Sequence, residues 1–88
     1  MNHFMEQMAS DPRLGPWHLC LYTAMAYLGK DAAPGAFFNV TRKKLMRHSG
    51  IRSIVTYHKY IAELVRYGYI SYQPSYHPLL GSQIAFII

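Results

Sequence analysis

The sequence predicts an α+β fold in which helices come first and a small antiparallel sheet closes against them. Three observations predict it. On both sides of a Ser49-Gly50-Ile51 turn, apolar residues recur at helical spacing. After Gly68 the pattern changes to short aromatic and β-branched runs separated by the turn-rich PSYHPLLGS. The chain has 88 residues, 51% of them hydrophobic, which suits one domain with a modest core but not a buried catalytic cleft as well.

Along the chain, residues 1–12 read as an N-terminal arm or short helix, with Phe4, Met5 and Met8 on one side. Residues 13–88 form the domain. Asp11-Pro12 and Gly15-Pro16 break the chain, and Pro16 suits the first position of a new helix. From Trp17 to Leu28 the stripe is Trp17, Leu21, Ala24, Met25 and Leu28, widened by Leu19, Cys20, Tyr22 and Tyr27. Gly29 ends this helix. Phe37–Val40 is a brief strand; Thr41 then caps a helix to about Ser49, and Gly50 takes the turn. The next helix starts near Ser53, with Ile54, Tyr57, Ile61 and Leu64 on its apolar side and Tyr60 beside it, and stops at Gly68. Tyr69–Gln73 and Gln83–Ile88 are strands joined by a long hairpin loop. Helix, short strand, helix, helix, strand, wing, strand is the order of a winged helix-turn-helix. A helical hairpin in an unrelated small fold is the plain alternative.

Charge narrows the function. The formal net charge is +5 with histidines neutral, and seven of the nine Lys and Arg residues fall between Val40 and Ile70. Such a balance favours an anionic partner, either nucleic acid or a membrane surface. No apolar run reaches the roughly 18 residues needed to span a bilayer. The start MNHFMEQMAS lacks the pattern of a signal peptide. The single Cys20 excludes an internal disulfide, so the expected setting is cytoplasmic. Catalysis and cofactors are not expected: the four acids form no pair, there is no glycine-rich phosphate loop, and the histidines are scattered. His18 and Cys20 stand two apart on a helix and point in different directions, so they make no metal site. No small-molecule effector is evident.

The helix expected after Thr41 opens with Arg42, Lys43 and Lys44, where the dipole is positive and acids are preferred. A local rule broken three times in succession points outside the fold. With Thr41 and Arg47, these residues are the candidate phosphate contacts, since a phosphate there meets free backbone N–H groups and cations together. A solvated basic face is the bland reading. In the second helix, burial of the apolar side leaves Ser53, Thr56, Lys59 and Glu63 exposed, flanked by Val55 and His58, with Arg52 at the entrance. Arg52, Ser53, Thr56, His58 and Lys59 are therefore the candidate base-reading residues. Arginine matches guanine O6 and N7 in a two-pronged contact, and threonine meets a thymine methyl or a phosphate. From Tyr67 to Ile88 there is no Lys, Arg, Asp or Glu. The wing residues Ser75, Tyr76 and His77, with Ser82 and Gln83, thus offer neutral hydrogen bonds to a backbone or minor groove, or else Tyr76, Pro78, Leu79 and Leu80 pack on a partner subunit.

TRKKLMRHSGIRSIVTYHKYIAELVRYGYI resembles the helix-turn-helix core of bacterial winged-helix regulators, in its turn glycine and following apolar residue, its Thr-Tyr and Glu-Leu pairs, and its closing Gly-Tyr-Ile. The continuation SYQPSYHPLLGS looks like the wing of short proteins carried on conjugative transposons and other mobile elements. The resemblance covers residues 37–88. It implies double-stranded DNA binding by a transcriptional regulator, or by an accessory factor for excision or replication of a mobile element, with Arg52, Ser53, Thr56 and Lys59 on the reading face. The uncharged wing departs from the family pattern. An apolar C-terminal strand with an open edge favours a homodimer reading two half-sites. Two other classes stay open: a winged helix used as a protein-interaction module, and a single-strand binder with tyrosines stacking on bases.

Overall fold

The computed structural model describes residues 8–33, 35–74 and 81–87. It is an α+β fold of three helices and one three-stranded antiparallel sheet: α1 (Pro16–Leu28), β1 (Phe38–Val40), α2 (Arg42–Ser49), α3 (Ile54–Arg66), β2 (Ile70–Gln73) and β3 (Ser82–Phe86). The expected short helix at residues 2–9 and the hairpin tip lie largely outside the described residues, although Met8 is buried in the core.

Local chemistry accounts for the helix ends. The Lys44 N–H donates to Thr41 Oγ1 at 3.2 Å and the Thr56 N–H to Ser53 Oγ at 3.3 Å, so each helix after the first starts on a hydroxyl cap. Gly50 closes α2 at φ 80°, a left-handed conformation that glycine adopts without a Cβ penalty. At the end of α3 the Gly68 N–H donates to the Val65 carbonyl and the Tyr69 N–H to the Leu64 carbonyl. This paired pattern satisfies two carbonyls the helix would leave open, and the buried Leu64 and Tyr69 side chains accompany it.

The core joins Leu21, Tyr22 and Met25 of α1, Leu45 of α2, and Tyr57, Ile61 and Leu64 of α3 with Ile70 and Ile84 of the sheet. Ile51, in the turn, is also buried and plugs the space between α2 and α3. Tyr57 lies at the centre. Its burial, followed by the neighbouring Tyr72 hydroxyl, pushes its ionisation well above the usual phenol range. The Tyr72 hydroxyl is paired with Ser82 Oγ at 3.0 Å, and the sealed Tyr57 hydroxyl has no well-formed hydrogen bond among the described residues.

Three expectations are corrected. Ile54 is 48% exposed rather than core. It is the first residue of α3, and Ile51 already fills the space beneath that turn. In α1, Trp17 and Tyr27 are exposed whereas His18 is buried. An uncharged helix carries no polar face to fix its rotation, so the stripe was under-determined. The C-terminal strand β3 is the central strand, in the order β1-β3-β2, with Phe38 opposite Ile84 and Tyr72 opposite Ile84 across it. It leaves no open edge, and that ground for a dimer falls away.

Gly81 roots β3. A Cβ placed there would stand 2.4 Å from the Val40 carbonyl oxygen and 2.8 Å from Thr41 Cα, and the φ of 69° is again left-handed. The returning chain therefore passes directly over the backbone that leads into α2.

The approach to α1 is held by Asp11. Its carboxylate, 9% exposed, accepts from the Arg13 guanidinium at 2.8 and 3.1 Å, from the Arg13 N–H at 2.9 Å, and from the Tyr69 hydroxyl at 2.7 Å. The Arg13 guanidinium also lies 4.3 Å from the centre of the Tyr67 ring. The Arg13 side-chain bonds first, and the Tyr69 hydroxyl second, hold the Asp11 carboxyl well below the usual carboxylate range. A depressed pKa in the folded state contributes stability above the unfolded value of about 3.9, and that contribution disappears as pH falls through the folded value. Thermal unfolding followed against pH should show wild-type stability falling below about pH 4. Asp11→Asn should be less stable at neutral pH and show a flatter acid limb.

Candidate nucleic-acid interface

The cations at the start of α2 are placed by Thr41. Its hydroxyl caps Lys44, while the N–H groups of Arg42 and Lys43 have no hydrogen-bond partner among the described residues. Arg42, Lys43, Lys44 and Arg47 are all exposed, and no acid lies in the first turn of α2. This helix end therefore presents two amides and three cations to solvent, the arrangement that attracts an anion. Thr41 Oγ1 serves as the cap acceptor, so toward an anion it retains its O–H as a donor.

At the start of α3, Arg52, Ser53 and Thr56 come together. With Trp17, Gly50 and Ile51 they line an open cavity of about 400 Å³. Arg52 and Ser53 are exposed and Thr56 is half-buried. Ser53 Oγ accepts the Thr56 N–H and keeps its own proton to donate. His58 and Lys59 are exposed outside this cavity: the His58 ring stands edge-on to Tyr57 at 5.3 Å, and the Lys59 ammonium lies 5.5 Å from the Tyr60 ring centre. Val55 is 80% exposed. Ser75, Tyr76 and His77 lie outside the described residues.

Glu63 is not the free surface acid expected. Its Oε1 lies 2.7 Å from Nε2 of the buried His18, and its Oε2 lies 3.8 Å from Arg66. His18 Nδ1 accepts the Gly15 N–H at 2.9 Å, so that nitrogen carries no proton and Nε2–H donates to Glu63. The His18 ring also meets Tyr60 edge-on at 4.6 Å. One imidazole thus caps the start of α1 and ties it to α3. The usable sequence signal is spacing: Gly15 and His18 occupy N-cap and N3, where a side-chain acceptor can reach back to the N-cap amide.

Among the described residues, no three His, Cys, Asp or Glu side chains stand together as metal ligands, and no helix is long and apolar enough to cross a membrane. On the outer side of α1, Leu19, Cys20, Thr23, Ala24 and Tyr27 with His48 of α2 line a second, shallow depression of about 590 Å³. The Cys20 thiol is free and exposed there. Set beside known proteins, the chain matches no family model, no curated relative and no solved structure.

The bridge is testable by stability. Glu63→Ala leaves the buried His18 Nε2–H unpaired and should cost about 1–3 kcal/mol in denaturant unfolding. His18→Ala should cost at least as much, and the double variant should fall short of the sum by about 1 kcal/mol.

Proposed function

We propose that this chain is a winged helix-turn-helix protein that binds double-stranded DNA with sequence preference and acts as a transcriptional regulator. One observation carries the reading: Arg42, Lys43 and Lys44 stand exposed at the first turn of α2, a turn with no acid, beside amides that have no partner among the described residues. Within the fold that placement is unfavourable by a few tenths of a kcal/mol per cation. A duplex backbone reverses the sign of that term, because each neutralised phosphate releases counterions.

In this reading α2 grips phosphates through Thr41, Arg42, Lys43, Lys44 and Arg47, and α3 enters the major groove by its N-terminal end. Arg52, Ser53 and Thr56 then face base edges, with His58 and Lys59 further along the helix at the groove wall. Binding, rather than catalysis, is the proposed activity, and the cytoplasm is the corresponding compartment. A homodimer on two half-sites is proposed with it. Its seam is the outer face of α1, a helix that contains no Lys, Arg, Asp or Glu, so two chains of charge +5 meet there with Lys30, over the Tyr27 ring, as the cation beside the seam.

Affinity measured against salt on duplex DNA tests this. Contact with about five phosphates gives a slope of log affinity on log salt near −4.5, and Lys43→Ala should flatten it by about one. Arg52→Ala should leave the slope closer to wild type while relaxing preference at one base pair by about 1–3 kcal/mol. Absence of duplex affinity at low salt would sink the reading in favour of a protein-interaction module.

A further inference from the structure

Trp17, the second residue of α1, has no place in the core, unlike the buried His18 and Leu21 that follow it. The residue is 43% exposed and its ring leans on the turn, with an indole carbon 3.8 Å from where a Cβ on Gly50 would sit. The neighbours are the buried Ile51 below, the half-buried Thr56 at one side, and Arg52 and Ser53 at the rim. Together with Gly50 they line the cavity of about 400 Å³, which is open to solvent at the start of α3. An indole left half-open beside an arginine is apolar surface that a partner can bury, next to a charge that can hold the partner there.

We propose that Trp17 is a DNA-contacting residue that supplies the apolar wall of the reading site, taking a C–H edge of the duplex while Arg52 holds the adjacent polar edge. The inference rests on the DNA-binding reading above. Two parts of DNA offer that chemistry: the thymine 5-methyl group and the face of a deoxyribose. Both are uncharged, so this contact differs in kind from those of α2. It adds affinity and shape selection, and it releases no counterions.

The chain contains a single tryptophan, so intrinsic fluorescence reports on Trp17 alone. The probe is a short duplex selected by the wild-type protein from a random-sequence library. Saturation should quench or blue-shift the emission. Trp17→Ala should weaken binding about tenfold, the scale of burying one large apolar side chain, while leaving the salt slope unchanged. Trp17→Phe, which keeps the packing against Gly50, should bind within about threefold of wild type on the same apolar-burial scale. Uracil replaced for thymine, position by position, separates the two sources. A loss at one position that vanishes in Trp17→Ala assigns the methyl, and no loss at any position with the Trp17→Ala defect retained assigns the sugar. Emission that does not respond to saturating duplex, with Trp17→Ala binding as wild type, overturns the inference and leaves DNA binding by α2 and α3 standing. Failure of the wild-type protein to select or bind any duplex overturns both.

Discussion

The His18 imidazole joins the entry of α1 to the last turn of α3, and the arrangement of the helical layer follows from it. Nδ1 accepts the Gly15 N–H and Nε2–H donates to Glu63, so each nitrogen has one partner and the ring has one tautomer. A buried polar group fixed at both ends tolerates neither rotation nor sliding of α1, because either leaves a donor or acceptor unmet. Apolar contacts alone would not impose this, since α1 is nearly apolar around its circumference and has several rotations that bury comparable area. With His18 fixed inward, the adjacent Trp17 is carried to the α2–α3 turn, and Cys20 and Tyr27 are carried to the outer face.

The same economy of fixed points governs the rest. Asp11 holds the chain before α1 to Tyr69 at the α3–β2 junction, and Gly81 holds the root of β3 against Val40 and Thr41. All three ties join parts of the chain far apart in sequence, and the two made by side chains end in the last turn of α3 or just after it. The surface carrying Arg42 to Lys44 and Arg52 to Thr56 is thereby mounted on helix starts whose positions are fixed from behind. Cationic side chains there can follow a backbone without the scaffold having to move.

Helix limits were legible because their signals are local. Thr41, Gly50 and Ser53 act on groups within three or four residues of themselves, and each behaves as its position in the sequence implies. The buried positions of α3 beyond its first turn were legible for the same reason, as three residues at helical spacing with polar ones between. What the sequence withheld depends on distant partners. The central place of β3 is set by pairing with β1 more than forty residues earlier, and no residue of β3 announces it. Glu63 read as surface because its partner is in another helix, and Ile54 read as core because Ile51 had not yet been placed beneath it. For the candidate site the cations were evident from composition alone, whereas Trp17 was hidden by its own hydrophobicity, which any periodicity argument assigns inward.

The contact at Gly81 bears on how such a chain can diverge. Backbone meets backbone there, so this crossing needs no particular side chain, only one position that stays free of a Cβ. Substitutions on either side can accumulate while the crossing over Val40 and Thr41 persists. A fold held in that way keeps its geometry after its resemblance in letters has faded, and the trace it leaves in sequence is a lone glycine ahead of a short apolar strand.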